Sequence, residues 1–166
     1  MSRQIATFIL GSTCLGVDIL LIKEVYRHMS ITPVPASSSH IRGLMNLRGR
    51  VVTVIDLAVC LGRSASDHVE DNRLLVLKTN EEISKYQARG KLTDTDLGDD
   101  IVGLLIDRMD DVIEAQDSDI VPAPSNLAEV DNDLIRGVIK QKEALIIILN
   151  IPMLLEKIMA VCRGAD

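Results

Sequence analysis

Aromatic residues are nearly absent from this 166-residue chain, which contains one Phe, two Tyr and no Trp. Proteins that recognise bases or sugars by stacking need several aromatic rings on one surface, so stacking recognition is excluded. Basic residues are also in the minority, because 18 Lys and Arg stand against 24 Asp and Glu, for a net charge of −6. Such a charge repels a phosphate backbone, and nucleic acid is not expected as a partner.

Cysteines and long apolar runs are also scarce. The three cysteines are widely spaced and lie among apolar neighbours, which predicts buried thiols of a reducing compartment and no disulfide framework: Cys14, Cys60 and Cys162. The apolar stretch at 144–155 contains Asn150 and Pro152, and at about twelve residues it is too short to span a bilayer. We therefore expect a cytoplasmic protein without direct membrane insertion.

Two segments of the chain resemble each other. Residues 41–61 align without a gap to residues 135–155, which begin 94 residues later. Ile-Arg-Gly and the final Leu are identical in the two segments, and nine other positions pair an apolar residue with an apolar one. The copies differ where Asn46 to Arg50 of the first faces Lys140 to Ala144 of the second. We infer an internal duplication whose special feature is a turn in the first copy.

The predicted elements are short strands with few helices. Alternating or continuous apolar runs predict strands at 4–10, 14–21, 22–27, 44–45, 51–55, 73–78, 101–107, 135–140 and 144–149, with a turn at 46–50. Asp56 and Asn150 each precede a predicted helix, and the C-terminal helix is the longer one. The polar, Gly- and Asp-rich insert 79–100 is interpreted as a mobile excursion.

These elements predict a mainly β fold of two small five-stranded barrels with short helices and a C-terminal helix. Residues 1–166 would form a single domain. The first barrel core is expected at approximately 14–65, and the second at 1–13 plus 66–166, together with exchanged segments.

No catalytic constellation is evident in the sequence. It has neither a nucleophile elbow nor a phosphate-binding loop. His28, His40 and His68 lack a second ligand at metal spacing, so we interpret them as surface residues. The acidic cluster Asp107, Asp110 and Asp111 lacks the alternating ligands and the glycine of a calcium loop, so we interpret it as a solvated strand end. The sequence predicts no enzyme and no cofactor.

The turn at Asn46-Leu47-Arg48-Gly49 is the strongest candidate for function. Asn and Gly accept left-handed backbone conformations, and Arg offers a planar fork that is frequent at protein interfaces. A well-formed hairpin with an incidental arginine is the alternative. The second copy uses Lys-Gln-Lys-Glu at the same place, so the fold itself does not require these residues, and this favours an interface.

The residues around this turn resemble the hallmark of CheW-type chemotaxis coupling proteins. The matching pattern is Ile41-x-Gly-x-x-Asn-Leu-Arg-Gly-x-Val-x-x-Val-Ile-Asp-Leu57, and further similarity extends through 16–20, 102–107, 120–124 and 149–151. The resemblance implies two SH3-like barrels and a non-catalytic scaffold. Such a scaffold couples chemoreceptor cytoplasmic tips to the regulatory domain of the histidine kinase CheA, in arrays at the membrane.

The resemblance also implies two sets of site residues. Those carried over for receptor binding are Ile22, Glu24, Gly43, Asn46, Leu47, Arg48 and Gly49. A weaker expectation assigns kinase binding to Val102, Gly103 and Leu104. Two departures from the family pattern are Thr53, where a proline is common, and the insert 79–100, which could cover a kinase-facing edge or select among signalling arrays.

Other functions are compatible with the residues alone. The same adaptor could serve a twitching or surface-sensing pathway. A small-molecule-binding or enzymatic protein would need a polar pocket residue essential for turnover. A self-assembling barrel would form homo-oligomers without kinase or receptor, although weak self-association is also expected of an adaptor in an array.

Overall fold

The structure is a computed structural model that describes residues 2–27, 30–35, 39–64, 71–92, 95–124, 132–141 and 144–164, with side chains described as far as residue 158 in the last helix. None of the helices in these ranges has the length and apolar character that crossing a membrane requires. The strands are β1 (Ser2–Leu10), β2 (Thr13–Asp18), β3 (Ile22–Tyr26), β4 (Ile41–Leu47), β5 (Arg50–Asp56), β6 (Arg73–Leu77), β7 (Ile101–Ile106), β8 (Arg108–Gln116), β9 (Ile120–Val121), β10 (Ile135–Gln141) and β11 (Ala144–Leu149). The α-helices are α1 (Leu57–Cys60), α2 (Asn80–Gln87) and α3 (Ile151–Gly164).

The strands form two sheets, which confirms the predicted mainly β fold with two barrel-like subdomains. One sheet has the order β3-β6-β7-β5-β4, and the other has the order β8-β1-β2-β11-β10-β9. The second sheet contains six strands where five were expected, because the two-residue strand β9 pairs with β10.

Strand pairing supports the internal duplication in detail. In each copy a parallel pair sets a glycine against the same position of the repeat, Gly103 beside Val54 in one sheet and Gly16 beside Ile148 in the other. The hairpins β4–β5 and β10–β11 also carry a register shift at the same place, after Ile41 and after Ile135. Equivalent bulges and equivalent glycines indicate one framework used twice.

Each sheet borrows a hairpin from the other half of the chain. The hairpin β1–β2 pairs with β11 and β8, and the hairpin β6–β7 pairs with β5 and β3. The predicted first barrel at 14–65 therefore differs from the observed sheet, because β2 belongs to the six-stranded sheet, and β6 with β7 belongs to the five-stranded one. Local sequence patterns identify strands but do not encode which distant strand each one pairs with.

A shared aliphatic core joins the two sheets. Buried residues of both sheets and of all three helices meet in one cluster that includes Phe8, Leu57, Ile83, Leu104 and Leu154. Smaller clusters fill the interior of each sheet, around Val52 and Leu105 in one and around Ile5 and Ile146 in the other. The apolar face predicted for α3 is buried as expected at Ile151, Leu154, Leu155 and Ile158, whereas the side chain of Cys162 lies outside the described residues.

The insert 79–100 is not a mobile excursion, and that expectation was wrong. It contains the helix α2, whose side chain Ile83 is fully buried in the shared core together with Leu97. A capping box begins the helix, because the Glu82 carboxylate accepts a hydrogen bond from the backbone N–H of Thr79 at 3.1 Å. The Asn80 side chain accepts a hydrogen bond from the N–H of Leu97 at 2.7 Å and thereby holds the returning chain.

Candidate functional site

The turn between β4 and β5 is shorter than the sequence suggested. The strands run to Leu47 and resume at Arg50, so Arg48 and Gly49 alone make the turn, with φ of 53° and 82°. Positive φ at both central residues is the geometry of the tight hairpin turn that matches strand twist. Asn46 supports it, because its Oδ1 accepts a hydrogen bond from the N–H of Gly49 at 2.9 Å.

The Arg48 side chain projects from this turn onto β3. Its Nη1 lies 2.8 Å from Oε1 of Glu24, and its guanidinium lies 5.8 Å from the ring centre of Tyr26. Tyr26 donates a hydrogen bond to the other carboxylate oxygen of Glu24 at 2.7 Å. That hydrogen bond is the main cause of the raised pKa of Tyr26. We call Glu24, Tyr26 and Arg48 the Arg48 cluster.

The Arg48 cluster bridges the two outer strands of the five-stranded sheet. β3 and β4 stand at opposite ends of the strand order, and the contact between Glu24 and Arg48 joins them across the barrel mouth. The Arg48 side chain nevertheless remains 70% exposed. Its ion pair is therefore worth at most about 1 kcal/mol of stability, and the guanidinium is available to a partner.

The other residues predicted for receptor binding have mixed exposure. Asn46 and Gly49 are exposed at the turn, whereas Ile22 and Leu47 are half-buried and pack against core clusters. Gly43 is buried, and a Cβ placed on it would overlap the carbonyl oxygen of Thr32. Gly43 therefore shapes the surface and does not present a side chain to it.

Exposed apolar residues next to the turn were missed in the sequence. Val51 is 62% exposed and Leu44 is 37% exposed. Asn46 is paired with Val51, and Leu44 with Thr53, so these side chains share one face of the hairpin. The signal was available, because strict alternation along β5 places Val51 opposite the buried Val52. An arginine beside exposed aliphatic residues is typical of a protein interface.

The segment predicted for kinase binding is mostly interior. β7 lies between β6 and β5, Leu104 is fully buried, and a Cβ on Gly103 would lie 2.8 Å from the Leu74 side chain. Only Val102 is half-exposed. Of the three residues predicted for kinase binding, Val102 is therefore the one whose side chain can contact a partner directly.

Side chains elsewhere in the described structure that could bind a metal or take part in acid–base chemistry are dispersed. Within the described residues no three metal-ligating side chains come together. Asp107 accepts a hydrogen bond from the N–H of Gly11 at 2.7 Å, so it holds the β1–β2 turn. His40 is half-buried, and its Nδ1 lacks a hydrogen-bond partner in the described structure, while His28 and His68 lie outside the described residues.

Two of the three thiols can be placed. Burial raises the pKa of the Cys60 thiol to about 12, so Cys60 is the inert hydrophobic residue that was predicted. Cys14 is only half-buried, and burial followed by the nearby charge of Asp110 raises its pKa as well.

Comparison with known proteins shows which family this fold and sequence resemble. The sequence model of the CheW-like domain matches residues 4–159. The chemotaxis protein CheW of Helicobacter pylori is 31% identical over 154 residues, which cover 93% of this chain and 82% of that protein. The chemotaxis protein CheW of Thermotoga maritima is 28% identical over 155 residues, covering 93% and 89%.

A solved structure agrees with the sequence relatives. The crystal structure of the scaffolding protein TtCheW from Thermoanaerobacter tengcongensis superposes with a TM-score of 0.73 at 27% identity, and the match covers 93% of this chain and 88% of that one. The agreement extends over both sheets and not over a shared motif alone. The chain therefore belongs to the CheW-like domain family.

Proposed function

We propose that this chain is a non-catalytic adaptor of chemotaxis signalling, which couples the cytoplasmic tips of chemoreceptors to a CheA-type histidine kinase. Relatives across nearly its whole length are chemotaxis proteins, and a structural relative is a scaffolding protein. A scaffold needs surfaces that hold two partners at once and needs no reacting groups. Binding to receptors would bring it from the cytoplasm to arrays at the membrane.

The observation that carries this proposal is the exposed Arg48 cluster beside an apolar rim. A receptor tip is a helical hairpin, and a helix docks best where aliphatic side chains are flanked by a few charged groups. Val51 and Leu44 offer the aliphatic area, and Arg48 offers donors for a carboxylate or for carbonyl oxygens at a helix end. We assign the receptor contact to this surface, together with Ile22 and Glu24 on β3.

The kinase would be met elsewhere. The resemblance to coupling proteins implies a homologous regulatory domain in the kinase, so barrel ends of the two proteins can pair in a pseudo-symmetric way. Val102 is the described residue of the predicted kinase segment that retains exposure. A second surface for the kinase leaves the Arg48 cluster free for the receptor, as bridging requires.

The test is a binding measurement with a matched pair of variants. Arg48→Asp reverses the charge that faces Glu24, whereas Arg50→Asp reverses an exposed charge two residues away on the same hairpin. Each variant and the wild type are titrated against a receptor cytoplasmic fragment and, separately, a kinase regulatory domain. We expect Arg48→Asp to lower receptor affinity at least tenfold, Arg50→Asp to change it by less than about threefold, and both to bind kinase as the wild type does.

The outcomes separate the parts of the proposal. Wild-type binding to both partners, with the receptor lost in Arg48→Asp alone, supports the adaptor role and the receptor surface. Retained receptor binding by a folded Arg48→Asp variant would mean that the receptor contacts another surface. Failure of the wild type to bind either partner would refute the adaptor role itself.

A further inference from the structure

A tyrosine and two lysines meet where β6 leads into α2. The ammonium group of Lys78 lies 3.2 Å from the Tyr86 hydroxyl and 4.6 Å from the centre of its ring. The ammonium group of Lys85 lies 5.1 Å from the same ring centre. Lys78 follows directly on β6, whereas Tyr86 and Lys85 belong to α2. We call these three residues the Tyr86 cluster.

The Tyr86 cluster is fixed in place by the core and by β3. Tyr86 is half-buried, and its ring packs against the shared core cluster that contains Ile83. Lys78 continues the pairing of β6 with β3, because its N–H donates a hydrogen bond to the carbonyl oxygen of Leu21 at 2.9 Å. Both ammonium groups therefore stay beside one ring, where each gains a cation–π contact. Lys85 is exposed, so this arrangement is accessible to a partner.

The positive field of the two lysines acts on the tyrosine between them. The pKa of Tyr86 is lowered, mainly by the hydrogen bond from Lys78 and then by the charges of Lys78 and Lys85. Neither lysine forms an ion pair with any described residue. Two like charges held side by side repel each other, so an anion placed against both is strongly favoured.

The carboxylates of α2 and β3 do not cancel this charge. Two of them are engaged in ion pairs with other cations, Glu82 with Lys23 at 2.7 Å and Glu24 with Arg48 at 2.8 Å. The third, Glu81, is exposed one turn before Lys85. Setting Glu81 against Lys85 leaves the charge of Lys78 uncompensated.

The Tyr86 cluster is continuous with the Arg48 cluster along β3. Glu24 of β3 is paired with Val76 of β6, and Lys78 lies two residues beyond Val76 on the same chain. Diagonal neighbours on adjacent strands lie about 7 to 8 Å apart, so Lys78 is one such step from Glu24. Glu24 in turn contacts Arg48. A single row of side chains therefore runs from Arg48 through Glu24 and Lys78 to Tyr86.

We propose that the Tyr86 cluster is a second anchor of the receptor surface, which binds an acidic side chain on the helix that docks at the Arg48 cluster. The inference rests on the proposed function. Two ammonium groups offer several charge-assisted donors to one carboxylate, and a helix lying along β3 reaches both clusters. The acidic residue should lie within about three helical turns, roughly 16 Å, of the receptor residue that contacts Arg48. In the other half, the connection equivalent to the insert is the two-residue turn between β1 and β2, which contains neither lysine nor tyrosine.

The experiment compares two matched charge reversals in the insert. Lys85→Glu removes one cation from the Tyr86 ring, whereas Arg89→Glu makes the same change of charge at an exposed residue four positions later that has no contact with that ring. Wild type and both variants are titrated against a receptor cytoplasmic fragment and, separately, a kinase regulatory domain. We expect Lys85→Glu to weaken receptor binding about tenfold, Arg89→Glu to stay within about threefold, and both to bind kinase as the wild type does. The loss should shrink as salt concentration rises.

Reversal of charge on the receptor locates the second anchor. Residues of the receptor tip are changed to Lys one at a time, and the change that restores binding to Arg48→Asp marks the first anchor. Changing an acidic residue within about three turns of that position should restore binding to Lys85→Glu. Rescue by none of these residues, or wild-type affinity of Lys85→Glu while Arg48→Asp loses the receptor, would overturn the second anchor and leave the adaptor function intact. Absence of receptor binding by the wild type would overturn both.

Discussion

The two halves of the molecule share one framework and differ in two places. Both have a hairpin with a bulge at the same position, and in both a glycine in that bulge packs against a passing backbone, Gly43 against Thr32 and Gly137 against Val121. The equivalence reaches single hydrogen bonds, since the N–H of Asp56 donates to His40 and the N–H of Asn150 donates to Leu134, both at 2.8 Å.

Both differences fall on the five-stranded sheet. The first is the turn Arg48-Gly49, which is not repeated in the second hairpin. The second is the connection between β6 and β7, which contains α2, whereas the connection between β1 and β2 is two residues long. Exposure follows the same asymmetry, because Leu44 is 37% exposed and its counterpart Val138 only 2%. The comparison teaches that the duplicated framework keeps the fold and that the unrepeated turn supplies Arg48, the charged group of the proposed receptor contact.

The strongest test of the shared framework is a methyl group on each bulge glycine. Gly43→Ala should lower the free energy of unfolding by about 3 kcal/mol, because its φ of 150° is strained for alanine and the Cβ would meet the Thr32 backbone. Gly137→Ala should cost about 2 kcal/mol, since a Cβ there would lie 2.7 Å from the Val121 carbonyl without that strain in φ. Urea unfolding measures both, and Gly90→Ala, with open space around its Cβ and a φ of 80°, controls for the cost of a left-handed backbone without a clash.

Equal insensitivity at Gly43 and Gly137 would contradict this account of the bulges. A large loss at one and none at the other would mean that only one half depends on the close backbone approach. The loss in free energy of unfolding should be largest for Gly43→Ala, smaller for Gly137→Ala and smallest for Gly90→Ala. This order tests the steric explanation.

A turn graft tests the difference between the halves. Replacing residues 46–50 by the sequence of residues 140–144 removes the Asn46 hydrogen bond and the glycine at φ 82°. We expect a cost of about 1 kcal/mol in stability, because a side chain in the left-handed region is tolerated at about that cost. Receptor binding should be lost and kinase binding retained. The reverse graft at 140–144 serves as the control and should leave receptor binding unchanged.

Local sequence patterns predicted the features of this fold that depend on neighbouring residues, namely strands, helix starts and turns. Alternation located β4 and β5, and Asp56 and Asn150 marked the starts of α1 and α3. Asn150 does cap α3, since its Oδ1 accepts a hydrogen bond from the N–H of Met153 at 3.2 Å. The unequal turns were identified because an aligned repeat makes any departure visible.

Two predictions were wrong, the barrel boundaries and the mobile insert. The first depends on long-range strand pairing, and the second on a helix with a weak apolar pattern. The exchange of hairpins depends on β2 and β7 each pairing in parallel with a distant strand, which no short segment encodes. The helix α2 was missed because Ile83 is its one buried side chain, although Thr79-x-x-Glu82 is a capping signature that precedes it. The contact of Glu24 with Arg48 exists only once the barrel has closed, so the residues alone could not indicate it.

The smallest expected effect concerns the insert, the other feature that only one half possesses. Burial raises the pKa of Glu82, but hydrogen bonds from Lys23 and Thr79 outweigh it, so the pKa is lowered from 4.5. A carboxylate whose pKa is lowered by folding stabilises the folded state at any pH above its ordinary pKa. This stabilisation is lost as the pH falls through the folded pKa. The stability difference between wild type and Glu82→Gln should therefore be constant from pH 6 to 8, below about 1 kcal/mol. It should begin to decline near pH 4.5 and be lost as the pH falls through the folded pKa. Thermal unfolding across this range measures the difference, with Glu81→Gln as the exposed neighbour for control. If the two variants behaved alike at every pH, the position of α2 beside β3 would not depend on the ion pair between Glu82 and Lys23.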